Sequence, residues 1–166
     1  MNHITNMLLI GTGATVVMDM WALLLTYGFN ISSPNYSLVG RWIGHMAHNR
    51  YYHPDITEAK PITGEGVIGW IAHYATGIAY AGILLLFFGQ DWAVEPTLLP
   101  ALIVGLGTLV APFFVMQPGM GAGVAASKTL HPNAMRLRSL MMHTIFGLGL
   151  YLSALAVSTL QYGSAQ

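Results

Sequence analysis

Residues 98–117, LLPALIVGLGTLVAPFFVMQ, form a run of 20 residues without a charged side chain. An α-helix of that length rises about 30 Å, which matches the hydrocarbon thickness of a bilayer. The run is too long for a single strand and shows no alternation of polar and apolar residues. It therefore predicts a transmembrane helix.

Three further stretches have the same character. The four predicted spans cover about residues 4–29, 67–88, 98–117 and 137–160. The first apolar run lacks the basic segment of a cleavable signal peptide and is too long for one, so we expect it to be retained. We predict a single all-α integral membrane domain over residues 1–166, a polytopic four-helix transmembrane bundle.

The composition excludes several classes of protein. Apolar residues make up 54% of the chain and charged residues 7%, against about 25% charged residues in an average soluble domain. Six basic residues are too few for a nucleic-acid-binding face, and the absence of cysteine removes disulfides and thiolate sites. We expect the partners to be the lipid bilayer and further copies of this chain or other membrane proteins.

The basic residues set the predicted orientation. Three lie in the first loop, three lie in the third loop or at the start of span four, and the second loop and both tails have none. The positive-inside rule therefore places loops one and three in the cytoplasm and both termini outside. The basic residues are Arg41, Arg50, Lys60, Lys128, Arg136 and Arg138, of which we expect Arg136 and Arg138 to anchor the chain to anionic lipid.

The first loop contains a short amphipathic pattern. Leu38, Trp42 and Met46 recur at helical spacing. This predicts an interfacial helix with a polar face formed by Arg41, His45 and His48. The spacing of His45, His48 and His53 matches no strong metal signature, so we expect these histidines to face lipid headgroups and predict no metal site.

Asp19 is the one charged residue far from the ends of the predicted spans. It lies about ten residues, or about 15 Å, from the cytoplasmic end of span one. A lone carboxylate at that depth costs a few kcal/mol unless it pairs, accepts hydrogen bonds, lines a wet cavity or stays protonated. It is either a proton or cation site, or a structural pin between helices.

His73 and His143 lie about six residues inside the cytoplasmic ends of spans two and four. Together with Asp19 they predict a proton relay or small-cation site, if the three side chains point inward. Two histidines on neighbouring helices also suit the axial ligation of a b-type haem. In a third interpretation, each ring only bonds a neighbouring carbonyl or hydroxyl.

Span three carries an internal proline. Pro112 predicts a kink, and Gln117-Pro118-Gly119 predicts unwound backbone whose carbonyls, with Gln117, can coordinate a cation. Alternatively the Pro-Gly pair only stops the helix. We find no Ser-His-Asp or paired-carboxylate arrangement in the sequence, so we expect no catalytic residues.

The segments GRWIGHM (40–46) and APFFVMQPGMGAG (111–123) are distinctive. With GATVVMDMWALLL (13–25), they resemble the family called domain of unknown function 2938, over about residues 10–155. The resemblance implies a four-helix protein of the bacterial inner membrane and brings no catalytic residue. The positions that match its polar motifs are Asp19, Asn35, Arg41, His45, His73, Gln117, Asn133, Arg136 and His143.

Three functions stay open at this point. The first is a small proton- or cation-coupled transporter or channel component, with Asp19, His73, His143 and Gln117 at its site. The second is a non-enzymatic accessory or assembly subunit of a membrane complex. The third is a membrane protein that binds haem b through His73 and His143, or another metal.

Overall fold

The structure is a computed structural model that describes residues 2–162. Within that range the chain forms helices and turns without a strand, which confirms the all-α prediction. The helices are α1 (His3–Phe29), α2 (Tyr36–Met46), α3 (Glu65–Phe88), α4 (Asp91–Val94), α5 (Leu98–Gly107), α6 (Gln117–Gly119) and α7 (Pro132–Tyr162). The predicted second loop therefore contains the short helix α4.

Four helical segments are long and apolar enough to cross a membrane: His3–Phe29, Glu65–Phe88, Leu98–Gly119 and Pro132–Leu160. Helices long and apolar enough to span a membrane are thus confirmed at all four predicted positions. The fourth begins earlier than predicted, at Pro132 instead of 137, because proline at the first position of a helix has a suitable fixed φ and needs no hydrogen bond there.

Pro112 begins an irregular turn in the third span, and the predicted kink itself stays a prediction. Residues Pro112–Met116 form a π-helical turn, in which the N–H of Gln117 bonds the carbonyl of Pro112. Proline lacks the N–H that would bond the preceding turn, and a wider turn accommodates that loss. The predicted unwinding at Gln117-Pro118-Gly119 is wrong, because these residues form α6 and the helix ends after them.

The chain divides into two compact units. The first unit comprises Met1–Ser33, Tyr74–Thr108 and Met142–Gln166, and the second comprises Pro34–His73 and Leu109–Met141. All six basic residues belong to the second unit with three acidic ones, which gives it a formal charge of +3. The predicted cytoplasmic loops thus supply most of the second unit.

Small residues allow close helix packing in the first unit. A Cβ on Gly11 of α1 would lie 2.5 Å from the Cα of Ile78, and one on Gly149 of α7 would lie 2.9 Å from the Cα of Ala14. Helices in lipid associate through such small-residue contacts. The outward side chains are apolar: those of Leu86 and Phe87 are 78% and 76% exposed, as expected for a lipid-facing surface.

The second unit is organised around α2. The backbones of α2 and α3 approach so closely at Gly40 and Gly69 that a Cβ at either would collide with a carbonyl of the other helix. Trp42 of α2 packs against Gly119, and its indole N–H donates to the carbonyl of Tyr51 at 2.8 Å. A helix in the first loop is thus present, and its location at the membrane interface stays a prediction.

Candidate functional site

Asp19 lies on a face of α1 that packs against α3 in the first unit. Gly11 contacts Ile78, Thr15 lies against Gly77, and the phenol hydroxyl of Tyr74 donates to Oδ2 of Asp19 at 2.9 Å. Residue numbers rise along α1 while they fall along α3, so the two helices are antiparallel. The positions 11, 15 and 19 are spaced by four residues, which places them on one helix face.

The residues beside Asp19 on α1 take part in the packing of the first unit. Its side chain is half-buried, Thr15 one turn away donates its hydroxyl to the carbonyl of Gly11, and Met18 packs against the core of the unit. The Tyr74 hydroxyl therefore supplies a neutral donor to a carboxylate within an apolar span. Such a donor offsets part of the cost of removing the carboxyl group from water.

His143 pairs with Thr108 where α7 packs on the third span. The Thr108 hydroxyl donates its single proton to the carbonyl of Gly105 and also bonds Nδ1 of His143. In the arrangement in which the hydroxyl proton points to Gly105, the ring carries its proton on Nδ1 and donates it to the hydroxyl oxygen. Nε2 of His143 then keeps its lone pair.

Asp19 and His143 lie at similar heights in the first unit. Gly149 of α7 is level with Ala14 and Val17 of α1. Both residues lie on the same side of that contact, because α1 and α7 are antiparallel. At 1.5 Å per residue, Asp19 is about 5 Å from the contact and His143 about 9 Å, so they are about 4 Å apart along the helix axes. They face different neighbours, since Asp19 bonds a residue of α3 and His143 bonds a residue of the third span.

His73 belongs to the second unit, where aromatic rings surround it. Its ring stacks on Tyr36 with centroids 4.2 Å apart and planes at 26°. The Trp70 ring meets it edge-on, with centroids 5.7 Å apart. Tyr36 is the first residue of α2, so His73 contributes to the packing of α2 on α3.

Gln117 is buried at the end of the third span. Its backbone carbonyl accepts a hydrogen bond from Ala122 at 2.9 Å. Its side-chain Oε1 is buried and has no hydrogen-bond partner within residues 2–162. An amide oxygen in that state is available to a donor or a cation.

Arg41 forms an ion pair inside the second unit. Its Nε and one terminal nitrogen donate to both carboxylate oxygens of Glu65 at 2.8 Å, and the other terminal nitrogen donates to the carbonyls of Thr57 and Ala59. The carboxylate raises the pKa of Arg41. We call this two-point contact between Arg41 and Glu65 the fork. It connects α2 to the loop before α3 and to the start of α3 itself.

The three loop histidines differ in their surroundings. His48 is exposed after the end of α2, and Nε2 of His45 lies 3.0 Å from the carbonyl of Lys60. His53 is 0% exposed, so its prediction as a headgroup-facing residue is wrong. Its backbone N–H bonds the carbonyl of Gly119 at 2.8 Å, which holds the residue inside the unit. Burial, and then the charges of Arg50 and His45, lower the pKa of His53.

The predicted lipid anchors lie at the start of α7. Arg136 is exposed, and it donates to the carbonyl of Ala125 at 2.8 Å and to the side chain of Asn133 at 3.1 Å. Arg138 is half-buried two residues further along. Binding of anionic lipid by either residue stays a prediction.

Three partners were not predicted from the sequence: Tyr74, Thr108 and Glu65. A tyrosine one turn from a packing glycine is a weak signal for Tyr74, and nothing in the sequence marks the other two. No group of three His, Asp or Glu residues within residues 2–162 is arranged to hold a metal ion.

Four apolar helices with polar pairs between neighbouring spans define a multi-pass α-helical membrane protein. The chain belongs to the family described as a protein of unknown function (DUF2938), whose model matches residues 8–157. This confirms the family resemblance found in the sequence. No curated protein and no solved structure matches the chain.

Proposed function

We propose that this protein is a small proton- or cation-coupled transporter or channel component whose binding group is Asp19. The observation that supports the proposal is the hydrogen bond from Tyr74 to Asp19 between two apolar helices. A carboxylate kept within an apolar segment is a functional site by default, because it is costly to retain otherwise.

The partner that the structure gives Asp19 suits a binding group. The phenol of Tyr74 donates a hydrogen bond to one carboxylate oxygen of Asp19 and carries no charge itself. A carboxyl group held by a neutral donor within an apolar segment can take up a proton or a small cation.

The two histidines have supporting roles in the proposal. Nε2 of His143 keeps a lone pair at a height close to that of Asp19, which suits a proton acceptor along the same route. The roles of His73 and Gln117, which belong to the second unit, stay predictions from the sequence alone.

The test uses purified protein in proteoliposomes that contain a pH-sensitive dye. An imposed potential should drive proton uptake in the wild type, whereas Asp19→Asn should abolish it and Tyr74→Phe should reduce it. Asp91→Asn is the matched control, because it removes an exposed carboxylate of the second loop. Uptake by Asp19→Asn at the wild-type rate, with the fold intact by circular dichroism, would contradict the proposal.

A second candidate is an accessory or assembly subunit without activity of its own. It is favoured by the fact that both polar pairs join neighbouring helices, as packing pins do. In that case Asp19→Asn lowers the stability in detergent, and the wild-type vesicles show no uptake above empty ones.

A b-type haem is the third candidate, with His73 and His143 as axial ligands. A haem would need free space beside each ring, and the glycine one turn after each histidine is where that space would lie. Gly77 lies against Thr15 and Gly147 against Ala101, so each glycine serves a helix crossing and does not leave space for a porphyrin. A Soret band in protein purified from haem-supplemented cells would favour this candidate over the other two.

We also propose a bacterial inner-membrane location with both termini outside. All six basic residues lie in the first loop, in the third loop or at the start of span four, which supports a cytoplasmic position for those loops. Alkaline phosphatase fused after residue 94 should be active, and the same enzyme fused after residue 57 should be inactive. The reverse pattern would overturn the orientation.

A further inference from the structure

The imidazole of His53 is buried with both ring nitrogens unsatisfied. The residue is 0% exposed, and neither Nδ1 nor Nε2 has a hydrogen-bond partner within residues 2–162. Such groups are rare in folded proteins, and a bound water or ion is one explanation for them. The backbone N–H of His53 bonds the carbonyl of Gly119, which fixes the backbone of the residue.

His45 presents a second imidazole to this ring. The two ring centroids are 4.8 Å apart and the planes meet at 64°. Nε2 of His45 lies 3.0 Å from the carbonyl oxygen of Lys60. A carbonyl only accepts, so Nε2 carries the proton and Nδ1 of His45 keeps its lone pair. Histidines that bind metals are oriented in this way, with the other N–H on a backbone carbonyl.

The spacing of the rings suits a shared metal ion. Zinc lies about 2.0–2.1 Å from a ligating imidazole nitrogen, so it lies about 3.2 Å from the ring centroid. Two imidazoles in a tetrahedral site then have centroids about 5 Å apart. The observed 4.8 Å agrees with that separation. Linear two-coordinate binding would need more than about 6 Å at the same bond length.

Gln117 provides an independent observation in the same unit. Its Oε1 is buried and has no partner within the described residues, and it lies two residues before Gly119, which binds the backbone of His53. We propose that His45 and His53 bind a divalent transition-metal ion of the zinc class, with the amide oxygen of Gln117 as a further ligand. Imidazole and amide ligands suit this class of ion, and the inference does not depend on the transport proposal.

The sequence could not indicate this site. His45 lies on α2 and His53 in the following loop, where the backbone of His53 is bonded to Gly119 at the end of α6. At Gly121, φ is +96°, and a Cβ there would collide with the carbonyl of Pro54. Glycine at this position therefore allows the turn to approach the His53 segment.

The experiment is isothermal titration of zinc chloride into full-length protein in detergent, purified with a tag that contains no histidine and stripped with a chelator. We expect one zinc ion per chain. His45→Gln and His53→Gln should each weaken binding at least about tenfold, and Gln117→Leu less. His48→Gln is the matched control, because it removes an exposed histidine three residues from His45.

The absorption spectrum of bound cobalt distinguishes an ordered metal site from loose binding at the surface. Cobalt at the proposed site should show the strong visible absorption of a four-coordinate ion, and His45→Gln should remove it while His48→Gln keeps it. His45 is only half-buried, so its variant tests the proposal even if His53→Gln does not fold. Zinc binding that is absent in the wild type, or unchanged in His45→Gln, would overturn the proposal.

Discussion

Substituting alanine for Gly77 places a methyl group at a crossing of α1 and α3. The new Cβ would collide with the Oγ1 of Thr15 and lie 3.3 Å from the carbonyl oxygen of Gly11. Restoring an ordinary contact of about 3.5 Å requires the two groups to separate by more than about 1 Å. The Tyr74–Asp19 bond is 2.9 Å long and lies further along the same interface, so that shift lengthens it beyond hydrogen-bonding distance.

The expected cost combines these two effects. Overpacking of a filled interface costs about 1–3 kcal/mol, and loss of an interhelical hydrogen bond in a membrane protein costs about 0.6 kcal/mol on average. We therefore expect Gly77→Ala to lower the free energy of unfolding by about 2–3 kcal/mol. Reversible unfolding in mixed detergent micelles, followed by tryptophan fluorescence, measures this value.

A rescue variant and a control make this prediction specific. Thr15→Ala removes the colliding oxygen, so the double variant Gly77→Ala/Thr15→Ala should regain most of the lost stability. Gly107→Ala is the control, because a Cβ there has no atom within 4 Å. If Gly77→Ala and Gly107→Ala are equally stable, the close crossing of α1 and α3 described here is incorrect.

Two other contacts make separate predictions. Thr108→Val should lower the unfolding free energy by about 1 kcal/mol, because it removes the hydrogen-bond partner of Nδ1 of His143. An unchanged unfolding free energy in the same micelle assay would show that this hydrogen bond contributes nothing. Arg41→Lys should lower the melting temperature, because an ammonium group cannot reproduce the two-point contact with Glu65. The exposed Arg50→Lys should leave it unchanged, and equal melting temperatures for both variants would contradict the role assigned to the fork.

The positions of the helices along the chain, and the depth of each residue along its helix, were predictable because they depend on local sequence. An apolar run and the position of the charges fix where a helix enters and leaves the bilayer. They do not fix its rotation. His73 and Tyr74 are adjacent and therefore point about 100° apart on the helix. The structure directs Tyr74 to Asp19, whereas the His73 ring stacks on Tyr36.

The contacts of the second unit were not predictable for a different reason. Arg41 and Glu65 are 24 residues apart, and His53 lies in a loop without helical periodicity. Their partners depend on how the first and third loops fold together, which no local pattern records. The error at Gln117-Pro118-Gly119 has a local cause. The π-helical turn at Pro112 absorbs the irregularity, so α6 continues the helix to Gly119.

The claim that Asp19 is a binding group within the membrane can be tested most directly by carbodiimide labelling. Dicyclohexylcarbodiimide reacts with protonated carboxyl groups in apolar surroundings, and mass spectrometry of digested protein locates the adduct. We predict that Asp19 is labelled in proteoliposomes, that the exposed Asp91 and Glu95 are not, and that proton uptake falls in proportion to the labelled fraction. An unlabelled Asp19, or full uptake by fully labelled protein, would contradict the account.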